Sequence, residues 1–154
     1  MAHVAFCPPK GAGLGWLAAL WLLAGPAWAA GSGATTPAWQ VWSPQVFEQA
    51  RREKKLVMLD VVTEWCQACK KMDLTSYRDP RVLELIQHRY IPVRADVDRV
   101  AEIKQRYGAY GVPAVVIFDG EGTEIIRRRG YLPSEWLHWM LVAVSDNPDP
   151  GAHR

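Results

Sequence analysis

The chain has 154 residues, of which 49% are hydrophobic and 22% are charged, and its formal net charge is +2. The length suits one domain, and the apolar content is high enough for a buried core, which excludes a chain that is disordered throughout. The small net charge excludes a strong attraction to phosphate, so we expect no nucleic-acid partner. The arginine run at residues 127–129 is interpreted as a solvated strand face.

The first 29 residues differ from the rest because they contain one lysine and no arginine or acidic residue. Residues 14–24 form an apolar run with the length of a signal-peptide core, and Ala27-Trp28-Ala29 follows as a cleavage pattern. We predict that residues 1–29 are a signal peptide, cleaved after Ala29, that exports the protein to the periplasm. An uncleaved membrane anchor is the alternative. Cys7 would leave with the signal peptide.

Residues 30–38 are small, rich in glycine and polar, so we predict a linker over residues 30–42 before the folded domain. A first helix is expected next, with Ser43 as its N-cap and Pro44 in its first position. Leu56–Val62 is a nearly continuous apolar run, as expected for a buried central strand. A second helix should begin near Cys66.

The middle of the chain repeats these patterns. Asp79 as N-cap and Pro80 in the first position predict a third helix, followed by a strand at residues 90–97. A fourth helix should then end near Gly108.

The last part of the chain predicts a strand at residues 113–119, a hairpin turn at Asp119-Gly120 and a further strand at residues 123–130. A last helix is expected to be capped by Ser134. We predict that residues 146–154 form a disordered tail, which leaves residues 43–145 as the folded domain.

Alternation of helices and strands in this order predicts an α/β fold. A strand–helix–strand unit implies a right-handed crossover between parallel strands, and the closing hairpin adds antiparallel ones. The expected architecture is a central mixed β-sheet flanked by helices on both faces.

Cys66 and Cys69 are three residues apart, directly after the predicted central strand. Because residues i and i+3 share a helix face, the two sulfurs can meet, and a cysteine at a helix N-terminus is favoured as thiolate. Cys66 should therefore attack a disulfide and Cys69 should resolve the mixed disulfide. A structural staple is disfavoured because so small a loop adds little stability. A zinc or copper site, for which we find no further suitably spaced ligands, is the remaining alternative.

Two more residues near the cysteines are candidates. Asp60 interrupts the apolar strand that leads to Cys66, either as a solvated strand end or as a buried proton acceptor below the thiols. Pro113 precedes an apolar strand, which suits a strand's first residue. The sequence pattern alone does not fix the isomer of its peptide bond.

Together, the segments LDVVTEWCQACK and RYGAYGVPAVVIFDGEG resemble the thioredoxin superfamily. The resemblance implies the thioredoxin fold, with Asp60 as the buried acid and Trp65 covering the thiols. It also implies that Pro113 is a cis-proline against the active site, where Val112 offers its backbone to substrate.

A longer segment, KKLVMLDVVTEWCQACKKMDLTSYRDPRV, resembles the C-terminal periplasmic domain of the bacterial thiol–disulfide interchange protein DsbD. In that family an acid four residues after the second cysteine tunes the cysteine pKa, and Asp73 matches it. Glu64 is a neighbour that could modulate Cys66. The family implies a periplasmic reductase of protein disulfides that receives electrons from a membrane-bound donor.

Several departures from these families leave alternatives open. Gln67-Ala68 between the cysteines matches neither thioredoxins nor the oxidase DsbA, and Ala114 follows the proline where thioredoxins usually have threonine. Arg94 falls roughly where thioredoxins have a lysine near the buried acid. A disulfide oxidase or isomerase, a maturation factor for cytochrome c or sulfur oxidation, and a thiol-based metal-binding protein therefore remain as alternatives.

No nicotinamide or flavin motif is present, so no cofactor is expected, and we predict a monomer. Four tryptophans outside the cysteine segment are interpreted as structural. Trp136 and Trp139 are expected in the core, and Trp39 and Trp42 should pack against the first helix.

Overall fold

A computed structural model describes residues 35–153 of the chain. The predicted signal peptide, Cys7 and the first part of the predicted linker lie outside these residues. Five strands and five helices are described, with 3₁₀ turns at Ser76–Arg78 and Pro150–His153. The strands are β1 Gln40–Val41, β2 Leu56–Val62, β3 Tyr90–Asp96, β4 Ala114–Phe118 and β5 Glu124–Arg129. The helices are α1 Gln45–Glu53, α2 Gln67–Leu74, α3 Pro80–Arg89, α4 Ala101–Tyr107 and α5 Ser134–Asp146.

All five strands form one mixed sheet in the order β1-β3-β2-β4-β5. The β1–β3 and β2–β3 pairs are parallel, whereas β2–β4 and β4–β5 are antiparallel. The predicted central strand, β2, is thus in the middle of the sheet. The fold class predicted from the sequence is confirmed.

Hydrophobic layers cover both faces of this sheet. On one face, residues of α1 and α4 pack against Val57, Leu59 and Val61 of β2. On the other face, residues of α2, α3 and α5 pack against Met58 and against β4. Side chains alternate between the faces of a strand, which is why neighbouring β2 residues belong to different layers.

Two predicted N-caps are wrong. Helix α1 begins at Gln45, with Pro44 rather than Ser43 in the cap position and no side-chain cap hydrogen bond. Ser134 is the first residue of α5 and follows Pro133 in the cap position, again with no side-chain cap. In both places proline's fixed φ starts the helix without a hydroxyl cap. At α3, by contrast, the Asp79 side chain accepts the Arg81 amide as predicted.

Short ordered segments occur in both regions that were expected to be irregular. Gln40–Val41, within the predicted linker, pairs with β3. Pro150–His153, within the predicted disordered tail, forms a 3₁₀ turn against β5. Two-residue strands and single turns carry no periodic pattern, and tertiary contacts hold them.

The hairpin between β4 and β5 closes as the sequence predicted. The Asp119 carboxylate accepts the amides of Glu121 and Thr123, and Gly122 has a φ of +87°, a conformation that suits glycine. Within residues 35–153, no helix has both the length and the apolar character needed to cross a membrane.

Candidate active site

The cysteine pair lies where the central strand passes into a helix. Cys66 is the N-cap of α2, and its Sγ accepts the Cys69 backbone N–H at 3.1 Å. The two residues are joined by a disulfide, with their Cα atoms 5.3 Å apart. Only 5% of Cys66 and 6% of Cys69 is exposed. The structure therefore describes the oxidised pair, with Cys66 at the positive end of the helix dipole.

Asp60 is buried in β2, with 1% of its surface exposed. Its Oδ2 accepts Arg94 Nε at 2.9 Å and lies 2.7 Å from Arg94 Nη2. These residues are directly opposite each other in the parallel β2–β3 register. The interpretation of Asp60 as a solvated strand end is wrong, because the carboxyl group is inside the protein and faces a cation.

Arg94 joins two carboxylates, because its guanidinium also pairs with Asp73 of α2. It stacks on Trp39 at 4.2 Å from the ring centroid and lies 5.7 Å from the Tyr77 ring. Trp39 in turn meets Tyr77 edge-on at 4.9 Å. The guanidinium is thereby held between acids and aromatic faces, a setting that suits its planar shape.

The protonation of Asp60 is shifted by these surroundings. Burial, opposed by the charge and hydrogen bond of Arg94, raises the pKa of Asp60 from 3.8 to about 6. The second carboxylate oxygen, Oδ1, and the Tyr77 hydroxyl are both buried without a partner at normal hydrogen-bond geometry, although Tyr77 is near enough to lower the pKa of Asp60 slightly. Burial also raises the pKa of Tyr77 well above its ordinary value. Asp60 can therefore exchange a proton near neutral pH.

The loop before β4 contains the two residues that the resemblance assigns to substrate binding. The Val112–Pro113 peptide bond is cis, Pro113 is buried and Val112 is half-buried. The Pro113 carbonyl accepts the Gly130 amide at 2.8 Å, whereas the Val112 amide and carbonyl bind no backbone group among residues 35–153. Val112 can thus offer main-chain hydrogen bonds to an extended peptide.

The remaining residues singled out from the sequence lie at the surface. Trp65 is 69% exposed. Glu64 pairs with Arg99 at 3.1 Å, and both side chains are mostly exposed, so solvent weakens their attraction. An open cleft of roughly 300 Å³ connects Cys69 to Asp73 and Arg94.

Ion pairs join Asp60, Arg94 and Asp73, and Cys69 lines the same cleft as Arg94 and Asp73. Within the described part of the chain, no three His, Cys, Asp or Glu side chains group as metal ligands would. The expected position of Arg94 near the buried acid is confirmed by its 2.7 Å contact with Asp60. Its pairing with Asp73 and its contacts with Tyr77 and Trp39 were not predicted from the sequence. A signal for Arg94 was present, since a charge interrupts an otherwise apolar strand as Asp60 does.

The tryptophans correct three interpretations. Trp136 and Trp139, expected in the core, are 64% and 57% exposed. Trp42 packs on Phe47 of α1 with ring centroids 5.5 Å apart, as predicted. Trp39 instead covers Arg94. The spacing of Trp136 and Trp139 cannot distinguish a buried helix stripe from an exposed one.

A family model described as a thioredoxin-like domain matches residues 44–145. This chain belongs to the thioredoxin-like domain family. It has a thioredoxin-like disulfide oxidoreductase fold, with its two cysteines in C-x-x-C spacing.

Curated relatives of this thioredoxin-like chain include the thiol:disulfide interchange protein DsbD of Vibrio vulnificus, 31% identical over 84 residues. The same-named protein of Campylobacter jejuni is 28% identical over 98 residues. These matches cover 52% and 59% of this chain but only 14% and 17% of the relatives. The chain therefore spans less than a fifth of the length of the curated relatives it matches.

Solved structures with the same fold include a thioredoxin from Thermus thermophilus, with a TM-score of 0.62 and 25% identity over 72% of this chain and 88% of that one. The reduced C-terminal domain of Neisseria meningitidis DsbD has a TM-score of 0.53 and 22% identity, over 64% of this chain and 90% of that one. The resemblance to thioredoxins and to the DsbD C-terminal domain is confirmed.

Proposed function

We propose that this protein is an exported thiol–disulfide oxidoreductase that reduces protein disulfides in the periplasm through Cys66 and Cys69. The observation that carries the proposal is the position of Cys66 Sγ at the N-cap of α2, where it accepts a backbone N–H. Helix N-termini favour thiolates, and the thiolate is the attacking form of cysteine. The thioredoxin-like family and the curated DsbD relatives support the same chemistry.

The first step forms a mixed disulfide. The Cys66 thiolate attacks one sulfur of the substrate disulfide and forms a bond to it, while the other substrate sulfur leaves as thiolate and takes a proton from solvent. The substrate segment beside the scissile bond lies against Val112 and Pro113, where free main-chain groups can pair with it. Trp65, next to Cys66 in sequence, adds an apolar contact.

The second step releases the substrate. Asp60 accepts the proton of Cys69, and the resulting thiolate attacks Cys66 Sγ. This closes the Cys66–Cys69 disulfide and expels the second substrate sulfur as thiolate. Two electrons have then passed from the protein to the substrate. The raised pKa of Asp60, about 6, supports this role because the carboxylate is a usable base near neutral pH.

Asp73 affects the proton transfer from Cys69 to Asp60 through the Arg94 guanidinium. Because both carboxylates share one guanidinium, the cation's attraction for Asp60 depends on how tightly Asp73 holds it. Glu64 is farther along the surface and is paired with Arg99, so its effect on Cys66 is expected to be small.

The oxidised pair must be reduced again by another dithiol. The donor that we propose is membrane-bound, as the resemblance to DsbD implies, and this protein would act as a monomeric carrier. An oxidase or an isomerase would use the same two steps with electrons moving in a different direction. A maturation factor would pass the electrons to one partner. A higher reduction potential of the pair would indicate an oxidase or isomerase, whereas a maturation factor would show one preferred partner rather than general reductase activity.

The test is the trapping of the mixed disulfide with insulin, a protein disulfide substrate. Cys69→Ser removes the resolving thiol, so we expect a one-to-one covalent adduct that dithiothreitol releases. Cys66→Ser, the matched control, removes the nucleophile and should form none. Adducts with Cys66→Ser but not with Cys69→Ser would reverse the assignment of the two thiols. No adduct with either variant, together with no insulin reduction by the unaltered protein, would refute the proposed activity.

A further inference from the structure

A second concave surface lies outside the cysteine site, between β5 and α5. It encloses roughly 580 Å³ and its floor is apolar, formed by Ile126, Leu132, Met140 and Val144. One wall is Trp136, which is 64% exposed. Large exposed aromatic side chains beside an apolar floor are typical of protein-binding surfaces. We name this surface the β5–α5 groove.

Arg128 forms the charged rim of the groove, which it lines and where it is exposed. The guanidinium of Arg129 points the other way and donates to the Tyr110 carbonyl at 3.1 Å. Among residues 35–153, Arg128 has no carboxylate within 4.0 Å, whereas Arg127 on the same strand pairs with Glu124 at 3.2 Å. The groove therefore has an apolar floor and positive charge that no acid of the described chain neutralises.

One end of the groove contacts α2 and the loop before β4. Tyr131 lines the groove, its hydroxyl lies 3.1 Å from Thr75 Oγ1, and its ring lies under the Lys71 ammonium group at 4.3 Å. Lys71 belongs to α2, the helix that begins after Cys66. The adjacent Gly130 donates its amide to the Pro113 carbonyl. A segment bound in the groove would thus lead toward the surface where the disulfide reacts.

We propose that the β5–α5 groove docks an acidic and apolar segment of the partner protein whose disulfide Cys66 attacks. The inference rests on the proposed function. An acidic side chain of the segment pairs with Arg128, and its apolar side chains pack on the groove floor and Trp136. Tryptophan and arginine are enriched among the residues that dominate binding energy at interfaces, and complementary charge guides association. A second copy of this chain fits poorly, because a two-fold contact would bury two copies of Arg128 against a lining that contains no acid.

The probes are two synthetic peptides that each contain one intramolecular disulfide. One carries a flank of alternating leucine and glutamate, and its twin carries leucine and lysine. Reduction of either peptide converts its disulfide to two thiols while Cys66 and Cys69 form theirs, so the electrons balance. We expect kcat/KM to be about tenfold higher for the leucine–glutamate peptide at low salt, and the preference to shrink as salt screens the charges.

Two matched pairs of variants test whether the peptide preference arises in the β5–α5 groove. Arg128→Gln and Arg127→Gln remove the same charge from neighbouring positions, but only Arg128 lines the groove. Trp136→Ala and Trp139→Ala remove exposed rings from the same helix, but Trp139 is not part of the groove. We expect about a fivefold loss with Arg128→Gln and about a tenfold loss with Trp136→Ala on the leucine–glutamate peptide, with less than a twofold loss for both controls.

The rate with glutathione disulfide, which has no flank, separates docking from chemistry. All four variants should keep that rate within about twofold, since none alters the cysteine site. Equal kcat/KM for the two peptides, or equal losses in the matched variants, would overturn the docking proposal while leaving the exchange activity intact. Failure of the unaltered protein to reduce either peptide or glutathione disulfide would instead refute the proposed function. Binding to anionic phospholipid vesicles that Arg128→Gln abolishes, without a peptide preference, would reassign the groove to a membrane surface.

Discussion

The two faces of the central strand differ in what they contribute. On one face, Val57, Leu59 and Val61 join a buried apolar layer with α1 and α4. On the other face, Met58 is followed by Asp60, a buried acid paired with Arg94. Strand alternation places these two environments within one run of seven residues. The apolar side chains of one face stabilise the fold, whereas the buried Asp60 carboxylate on the other face lowers its stability.

The free-energy cost of burying charged Asp60 follows from its pKa. A pKa raised from 3.8 to about 6 corresponds to about 3 kcal/mol of unfavourable free energy when Asp60 is charged, at order-of-magnitude precision. Buried apolar side chains contribute a comparable amount each, of about 1.5–3 kcal/mol. One residue of the apolar face therefore roughly offsets the acid on the opposite face. Removing a buried apolar side chain from one face and removing the Asp60 charge from the other should therefore have opposite effects on stability.

The largest expected effect is on the apolar face. Leu59→Ala removes a fully buried side chain and leaves a cavity, which should lower the free energy of unfolding by about 2–5 kcal/mol. Urea denaturation measures this loss. Activity per folded molecule and its pH profile should stay the same. A shifted pH profile would show that the two faces are coupled rather than separate.

Asp60→Asn should have the opposite effect on stability. The folded protein binds the Asp60 proton more tightly than the unfolded chain, because the pKa is raised from 3.8 to about 6. Stability due to this group is therefore lost as pH rises from about 4 to about 6 and stays lower above that range. We expect Asp60→Asn to stabilise the protein by about 1–3 kcal/mol at pH 8 and by almost nothing below pH 4.

The same variant should slow the release of substrate. Without its base, the second exchange step should fall by about 10- to 100-fold, and the rise in rate near pH 6 should disappear. Stopped-flow fluorescence of the exchange reaction measures both. Asp96→Asn is the matched control, since Asp96 ends the neighbouring strand and is partly exposed. A rate profile unchanged in Asp60→Asn would remove Asp60 from the mechanism.

Arg94→Gln keeps the Asp60 carboxyl group and removes the cation that pairs with it. The pKa of Asp60 should rise above about 6, because the charge and hydrogen bond of Arg94 lower it. The pH–rate profile should therefore move to higher pH. Stability at pH 8 should fall by about 1–2 kcal/mol, less than for a fully buried pair because the Arg94 side chain is 26% exposed. Arg99→Gln, which removes an exposed arginine paired with Glu64, should move neither quantity.

Tyr77→Phe should have the smallest effect. The hydroxyl is buried without a partner at normal geometry, so its removal should change the free energy of unfolding by about 1 kcal/mol or less. The pKa of Asp60 should rise slightly, because Tyr77 contributes a small lowering. A titration of the Asp60 carboxyl by NMR distinguishes the two variants. A larger shift in Tyr77→Phe than in Arg94→Gln would contradict the proposed order.

The sequence predicted the parts of the fold that have strong local patterns. The seven-residue apolar run became the central strand, and the Asp79-Pro80 pair began a helix with its side-chain cap. It did not reveal β1, whose two residues depend on pairing with β3, nor the two helix starts where proline replaces the expected serine cap. Such features are decided by tertiary contacts rather than by local preference.

The residues of the candidate site could be predicted from the sequence, but the contacts between them could not. Cys66, Cys69 and Asp60 could be named from spacing and from one acid in an apolar strand. The pairing of Asp60 with Arg94 depends on the β2–β3 register, which the sequence pattern does not fix. The contact of Arg94 with Trp39 depends on a residue from the predicted linker. Long-range contacts of this kind require the three-dimensional structure.

We have proposed that the Cys66–Cys69 pair works as a reductant. The most direct measurement is its reduction potential, obtained by equilibrating the purified protein with glutathione or dithiothreitol buffers of known potential. We predict a value near that of thioredoxin, about −270 mV. A value near about −120 mV, as in the oxidase DsbA, would mean that the dithiol is the stable form. That result would contradict the reductant role.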